Sequence, residues 1–370
     1  MDTAEVFFTN MRTRQTRNLV WKMAALLKAA GFEQMDLERK FVAVKMHFGE
    51  PGNLAFIRPN YAARVISMVR EAGGRPFLTD TNTLYTGGRS NAVDHLASAS
   101  ANGFNRLSAG CEVIISDGLR GTEYREVEVG CKHTDTAKIA AAVADADSLV
   151  TLSHFKGHEL TGIGGAIKNL GMGCAARGGK LFMHSTSKPV IQQDKCVACG
   201  LCKESCPQEA ILWNAEKQAM IAYDLCIGCG QCIAMCQYGA VKAVLDESAS
   251  VAAEKIAEYA LAAVKDKPSL HASFIMDVSP FCDCWGYNDK ALVADIGIAA
   301  SRDPVALDQA CVDMVNEAPL APGTILEDSG LTRGDDKFGA VHRETSWQAG
   351  LAYAESIGLG SREYSLVKID

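Results

Sequence analysis

Short apolar runs recur along the chain, each leading into a polar loop. FVAVKM (41–46), PFLT (76–79), EVIIS (112–116) and SLVTLS (148–153) occupy the first half, and SFIM (273–276) and LVA (292–294) follow later. Runs this short, rich in β-branched residues and bounded by turn-formers, read as buried strands. Helical patterns lie between the early ones, around Leu19–Ala30, Tyr61–Glu71, Ser90–Asn102 and Asp135–Ala144. Strand–helix alternation predicts an α/β fold with a mainly parallel sheet covered by helices.

The residue that ends each run repeats a theme. The six strands run into His47, Asp80, Asp117, His154, Asp277 and Asp295. In open α/β sheets ligands bind beyond the carboxyl ends of the strands. The loops there are polar and rich in glycine: HFGEPGN (47–53), DTNTLYTGGR (80–89) and DGLRG (117–121). Any one of these aspartates could simply cap the next helix; six such endings on one edge point to a site.

Fourteen cysteines change the picture. Eight form two blocks, CVACGLCKESCPQEAI and CIGCGQCIAMCQYGAV, which start 30 residues apart and share the spacing C-x2-C-x2-C-x3-C. Three thiolates at that spacing can wrap one cubane from a tight loop, while the fourth is carried to the other cubane. One [4Fe–4S] cluster is therefore expected on Cys196, Cys199, Cys202 and Cys236, and a second on Cys226, Cys229, Cys232 and Cys206. The alternative is zinc on four thiolates; a duplicated four-cysteine run is the more specific signature of iron–sulfur. The blocks resemble a bacterial two-cluster ferredoxin, except that Gln237 stands where proline usually follows the fourth cysteine.

Strands predicted on both sides of the blocks place this unit inside a larger domain. The expected layout is an α/β part over 1–189, an inserted small α+β two-cluster ferredoxin-like unit over 190–245, and the rest of the α/β domain with a tail over 246–370. A helix over about 251–265 leads back to the sheet.

The stretch HFKGHELTGIGGAIKNLGMGC (154–174) sets two histidines, two lysines and a cysteine among six glycines. Glycines permit close backbone approach, and a strand, glycine loop and helix in succession expose N–H groups to phosphate or carboxylate. GIGGAIKN matches neither the dinucleotide fingerprint nor the P-loop. The candidates for an anion, substrate or cofactor site are Gly162, Gly164, Gly165, Arg58, Asp80, Arg89, Asp117 and Arg120. Those for acid–base or covalent chemistry are Lys168, His158, His154, His47 and His184. A rigid loop that only positions the insert is the plainer alternative.

HFGEPGN, TDTNTLY, SDGLRG, the glycine-rich stretch, the CDC at 282–284 and SRDPVALD (301–308) together resemble the iron–sulfur proteins grouped as domain of unknown function 362. The resemblance runs from about residue 5 to 320 and implies the inserted ferredoxin unit, but no reaction. A fainter resemblance is to lactate racemases. His158, Lys168 after nine intervening residues and His184 after fifteen more repeat the layout of their glycine-rich segment. It implies Lys168 as covalent anchor or cation for a nickel-bearing nucleotide, with His158 and His184 as acid–base groups or ligands. The racemase's other motifs are not recognisable in this chain.

Of the remaining cysteines, Cys111, Cys131 and Cys311 lie in apolar or strand-like context and read as core thiols. Cys174, Cys282 and Cys284 could converge at the sheet edge as a redox dithiol, an additional metal site or a third cluster.

Bulk composition excludes several classes. A formal charge of −7 without a basic stripe argues against nucleic acid. No apolar run is long enough to span a bilayer, and the N-terminus, MDTAEVFFTNMRTR, lacks the apolar core of a signal peptide. Cysteine-rich chains of this size without an export signal belong in a reducing compartment, so a cytoplasmic location is expected. These features predict an oxidoreductase passing low-potential electrons from two [4Fe–4S] clusters to an anionic small-molecule or cofactor site, with a redox partner protein. The alternatives are an electron carrier or assembly factor for a redox partner, and a non-redox isomerase or lyase with structural clusters.

Overall fold

The computed structural model describes residues 3–85, 87–184, 188–226, 230–244 and 247–369. Its core is an eight-stranded sheet. In chain order the strands are β1 (Ala4–Asn10), β2 (Phe41–Met46), β3 (Arg75–Asp80), β4 (Val113–Ile115), β5 (Ser148–His154), β6 (Ser269–Ile275), β7 (Gly297–Ser301) and β8 (Tyr364–Lys368). Across the sheet they run β8-β1-β7-β6-β5-β2-β3-β4, and only β7 opposes its neighbours. The mainly parallel α/β fold is as expected.

Alternation along each strand divides the apolar residues between two layers. Val42, Val44 and Met46 face helices Leu19–Ala29 and Pro59–Glu71, while Ala43 faces the layer built by helices Ala166–Cys174, Ala249–Val264 and Pro304–Glu317. Gly171 lets two helices of the second layer touch: a Cβ there would lie 2.1 Å from the carbonyl oxygen of Ile256.

Several expectations shift. LVA (292–294) forms no strand of the sheet; Val293 makes a single bridge to Leu320. The pattern of apolar runs omits three sheet strands, β1, β7 and β8, of which GIAAS and YSLVK carry few large apolar residues. The pattern near Asp135–Ala144 is a strand (Thr136–Ala140) followed by one helical turn (Ala141–Ala144), its alanines fitting either state.

After β2 the chain moves outward to β3 and β4, then returns to lay β5 on the other side of β2. The carboxyl ends of β2 and β5 are thus the topological switch point, where such sheets open a crevice. His47 and His154 flank it.

Residues 188–244 form a small unit beside this edge. Strands Val190–Ile191 and Val241–Lys242 pair at its neck, so the chain leaves and rejoins the α/β body at one place. A second ribbon pairs Ile211–Trp213 with Ala219–Ile221. The 30-residue repeat is visible in this pairing: shifting Ile191 and Ile211 by one repeat gives Ile221 and Val241, and the structure pairs Ile191 with Val241 and Ile211 with Ile221. Among the described residues no helix is long and apolar enough to cross a membrane.

Candidate functional site

A cavity of about 1200 Å³ opens at the switch point, between the sheet edge and the small unit. Ordinary ligand pockets hold roughly 300–1,000 Å³, so there is room for a substrate and a further group. His47, His154, His158, Lys168 and His184 all line it, with Asp80, Arg89, Arg120 and Gly165. From the small unit, Ile233, Cys236, Gln237 and Lys242 complete the wall.

The lining residues divide by their bonding. His154 is fully engaged: Nδ1 lies 2.9 Å from both carboxylate oxygens of Asp283, and Nε2 lies 2.8 Å from the carbonyl oxygen of Met276. Lys156 Nζ completes this buried ion-pair group, 3.2 Å from Asp283. His154 is therefore a structural tie between β5 and the 276–283 loop rather than a free acid or base. Asp80 and Arg89 are likewise committed. Asp80 pairs with Lys45 at 2.9 Å, and Arg89 pairs with Glu50 at 2.7 Å. Burial opposes the Asp80 carboxylate, but the Lys45 and Arg89 charges hold it below the usual carboxylate range.

His47 is different. Its Nδ1 accepts from the Gly49 N–H at 2.9 Å, which places the ring proton on Nε2, and that buried atom has no hydrogen-bond partner among the described residues. Burial and nearby Arg89 keep the ring neutral, well below the ordinary histidine range. His184 is also held neutral, pushed down to about 3 by burial and the cations around it. Among the described residues Arg120 and Lys242 have no acidic partner at the cavity wall.

The glycine-rich loop does not present an open anion cradle. Gly162–Gly164 pairs with Lys156–His158 as a buried hairpin. The first N–H groups of the following helix already have a partner within the chain: Asp308 accepts from Ala166 N at 2.7 Å and from Ile167 N at 2.9 Å. Gly165 admits this carboxylate, since a Cβ there would lie 2.2 Å from Asp308 Oδ1. Burial nevertheless raises the Asp308 carboxyl to about 7, against the pull of those N–H bonds. Gly162 and Gly164 therefore lie off the cavity wall.

Four further candidates fall elsewhere. Arg58 is exposed at the start of helix Pro59–Glu71. Asp117 is buried behind the wall, where Oδ1 accepts from Asn82 and Oδ2 has no hydrogen-bond partner among the described residues. Asp277 and Asp295 are exposed and meet each other's loop through Asp277 N and Asp295 Oδ1 at 2.9 Å. Neither Asp80 nor Asp117 caps a helix.

The domain of unknown function 362 (DUF362) matches this chain over residues 42–313. The chain belongs to the DUF362 family. No curated protein matches its sequence. Among solved structures it is similar to the lactate racemase apoprotein of Thermoanaerobacterium thermosaccharolyticum, at 11% identity and a TM-score of 0.39, covering 85% of this chain and 59% of that one. A protein from Thermotoga maritima is similar at 12% identity and a TM-score of 0.36, covering 71% and 52%. The matched region thus spans little more than half of each of those chains.

Two groups of cysteines stand out in the DUF362 chain. In the small unit, Cys202 and Cys232 sit in a core with Ile211, Ile221 and Val241, and Cys196, Cys206, Cys226 and Cys236 pack against it. Burial raises the Cys202 thiol, and so do Cys236, Cys199 and Cys196 beside it. The repeat recurs in the hydrogen bonds: Cys206 accepts from Ala210 N at 3.3 Å, and Cys236 accepts from Ala240 N at 3.2 Å. Cys206, Cys226 and Cys232 border one small void. Cys229 lies outside the described residues.

The second place is the cavity wall, where one ligand-type atom each of His158, Cys282 and Cys284 lies within 4.8 Å of the others. Lys168 Nζ is 2.8 Å from Cys282 Sγ. Burial opposes a Cys282 thiolate, but a hydrogen bond from Cys284, the Lys168 charge and His158 hold the thiol well below its ordinary range. His158 does not suit a metal ligand. Its Nδ1 accepts from the N–H groups of Leu160 and Thr161 at 3.1 Å, so Nε2 carries the ring proton and can only donate. Cys174 stands apart from this group, fully buried, its thiol pushed up to about 11 mainly by burial. Cys111 and Cys311 are buried core thiols as expected, whereas Cys131 is half-exposed.

The structure adds Lys45, Lys156, Lys180, Asp283 and Asp308 to the site residues expected from the sequence. Lys45 leaves one trace, a charge inside the apolar run FVAVKM.

Proposed function

We propose that the chain is an iron–sulfur oxidoreductase: its 190–245 repeat holds two [4Fe–4S] clusters, and electrons pass from there to a small anionic substrate in the switch-point cavity. Cys196, Cys199, Cys202 and Cys236 would hold one cluster, and Cys226, Cys229, Cys232 and Cys206 the other. When bound, such clusters supply one-electron transfer. The donor set suits them, with thiols gathered around an apolar core and backbone N–H groups aimed at sulfur, the kind of bond that tunes cluster potential.

The observation that carries this reading is the position of Cys236. It belongs to the cysteine group of the small unit and also lines the cavity that holds Lys168, His158 and Cys284. Electron delivery to the cavity would need no long path. Arg120 and Lys242 would attract a carboxylate or phosphate, while neutral His47 offers Nε2–H as a donor. Exposed Trp213, Met220, Tyr223 and Tyr238 on the small unit would suit docking by a redox partner protein, in a cytoplasmic setting.

The test is anaerobic reduction with dithionite, followed by mixing with disulfide, nitro or 2-oxo-acid acceptors while cluster absorbance is monitored. Reoxidation by one class should slow in Arg120→Ala and Lys242→Ala without loss of reducible cluster. Reoxidation equally fast in every cavity variant would mean that electrons leave elsewhere, as in a simple carrier.

A further inference from the structure

The C-x-C pair at 282–284 has a built environment. Cys284 lines the cavity, whereas Cys282 lies behind it, fully buried. Cys282 Sγ accepts from the Cys284 N–H at 3.4 Å and from Lys168 Nζ at 2.8 Å. The Cys284 carbonyl oxygen accepts from the Tyr85 hydroxyl at 3.1 Å, which ties this strand of loop to the opposite wall. A lysine ammonium against one sulfur and a histidine committed to donating leave little for a metal, but they suit a thiolate.

We propose that Cys282 and Cys284 are a dithiol–disulfide couple serving the cavity, with Cys284 meeting a disulfide substrate and Cys282 resolving the mixed disulfide. The proposal deepens the oxidoreductase reading and rests on the cavity being its active site.

In the first step Cys284 loses its proton to Cys282 and attacks the substrate disulfide, forming an S–S bond and expelling one substrate thiolate. That thiolate takes the proton from Cys282 and leaves as the thiol. The Cys282 thiolate then attacks Cys284 Sγ, closing the Cys282–Cys284 disulfide and expelling the second substrate thiolate. The dithiol is oxidised by two electrons and the substrate disulfide is reduced by two. Return to the dithiol requires two electrons and two protons, supplied by two equivalents of a small thiol that leave as their disulfide, or by two one-electron equivalents from a low-potential donor. The two sulfurs lie within 4.8 Å, and an S–S bond needs about 2.05 Å. The approach is short and lies within one loop. The Cys284 thiol is raised above its ordinary range chiefly by its hydrogen bond to Cys282, then by burial.

The test uses the anaerobically purified, metal-replete protein. It is treated with the carboxylate-bearing disulfide 5,5′-dithiobis(2-nitrobenzoate), acid-quenched, alkylated and mapped by mass spectrometry. The expected product is a peptide two hydrogens lighter with both Cys282 and Cys284 protected, restored by dithiothreitol. Cys282→Ser should instead trap the nitrobenzoate adduct on Cys284, and Cys284→Ser should leave Cys282 unmodified. Alkylatable thiols at both positions after treatment, while half-exposed Cys131 is modified, would overturn the proposal. So would an adduct on Cys282 in Cys284→Ser. Cluster absorbance recorded on the same sample reports electron delivery separately, so the two readings can fail independently.

Discussion

Lys168 Nζ lies 2.8 Å from Cys282 Sγ, and each residue moves the other toward its charged form. Burial works against the Lys168 charge, yet the adjacent sulfur holds the ammonium above its ordinary range. The pair therefore places a cation on the cavity wall and a thiolate just behind it. Replacing Lys168 by Met removes a charge-assisted hydrogen bond. The midpoint of thiolate formation, followed by ultraviolet absorbance in a variant lacking Cys131, should rise, while Lys168→Arg restores most of the difference. An unmoved midpoint would show that Lys168 does not hold the thiolate.

Asp308 occupies the helix start that an external anion would otherwise use. Asp308→Ala leaves the N–H groups of Ala166 and Ile167 without their acceptor, at a cost of about 1–3 kcal/mol each as buried unsatisfied donors. Thermal or denaturant unfolding should show the loss, and millimolar sulfate should recover part of it in the variant but not in the parent. Equal sulfate response in both would argue against the carboxylate's capping role.

His154 is predicted to be structural. Truncation to Ala leaves the Asp283 charge buried with Lys156 as its remaining ion-pair partner, and breaking such a pair costs about 3–5 kcal/mol. The variant should lose stability by urea titration. Full stability with abolished turnover would reverse the assignment and make His154 a reacting group.

Asp117 sets a pH dependence. Burial raises its carboxyl from 3.8 to about 6, opposed by Lys180 and the Asn82 N–H. A carboxyl raised in the folded state contributes stability that is full below its unfolded value and is lost as pH rises through the folded one. The parent should thus lose stability relative to Asp117→Asn between about pH 4 and 7. A difference that stays flat over that range would mean that Asp117 is ionised throughout.

How much of this could be read from residues alone depended on how local the signal was. The central strands β2, β3 and β5 were legible because their apolar runs are continuous; β7 and β8 were not, because GIAAS and YSLVK carry few large apolar residues. The cysteine repeat falls in the small unit, and the edge histidines line the cavity. Long-range pairing stayed hidden. Nothing near Gly165 announces that Asp308 will fill the helix start, 142 residues away along the chain. Nothing in CDC indicates that its first cysteine will meet Lys168 and its central aspartate will bind His154. Such contacts arise only when the sheet brings separate strand ends to one edge.

The most direct test of the account is a metal count on anaerobically purified protein, with EPR after dithionite. Two cubanes predict about eight iron and eight acid-labile sulfide per chain, with a signal from reduced [4Fe–4S] centres. Zinc at about two equivalents with no sulfide would contradict electron transfer and leave the repeat a structural thiolate site.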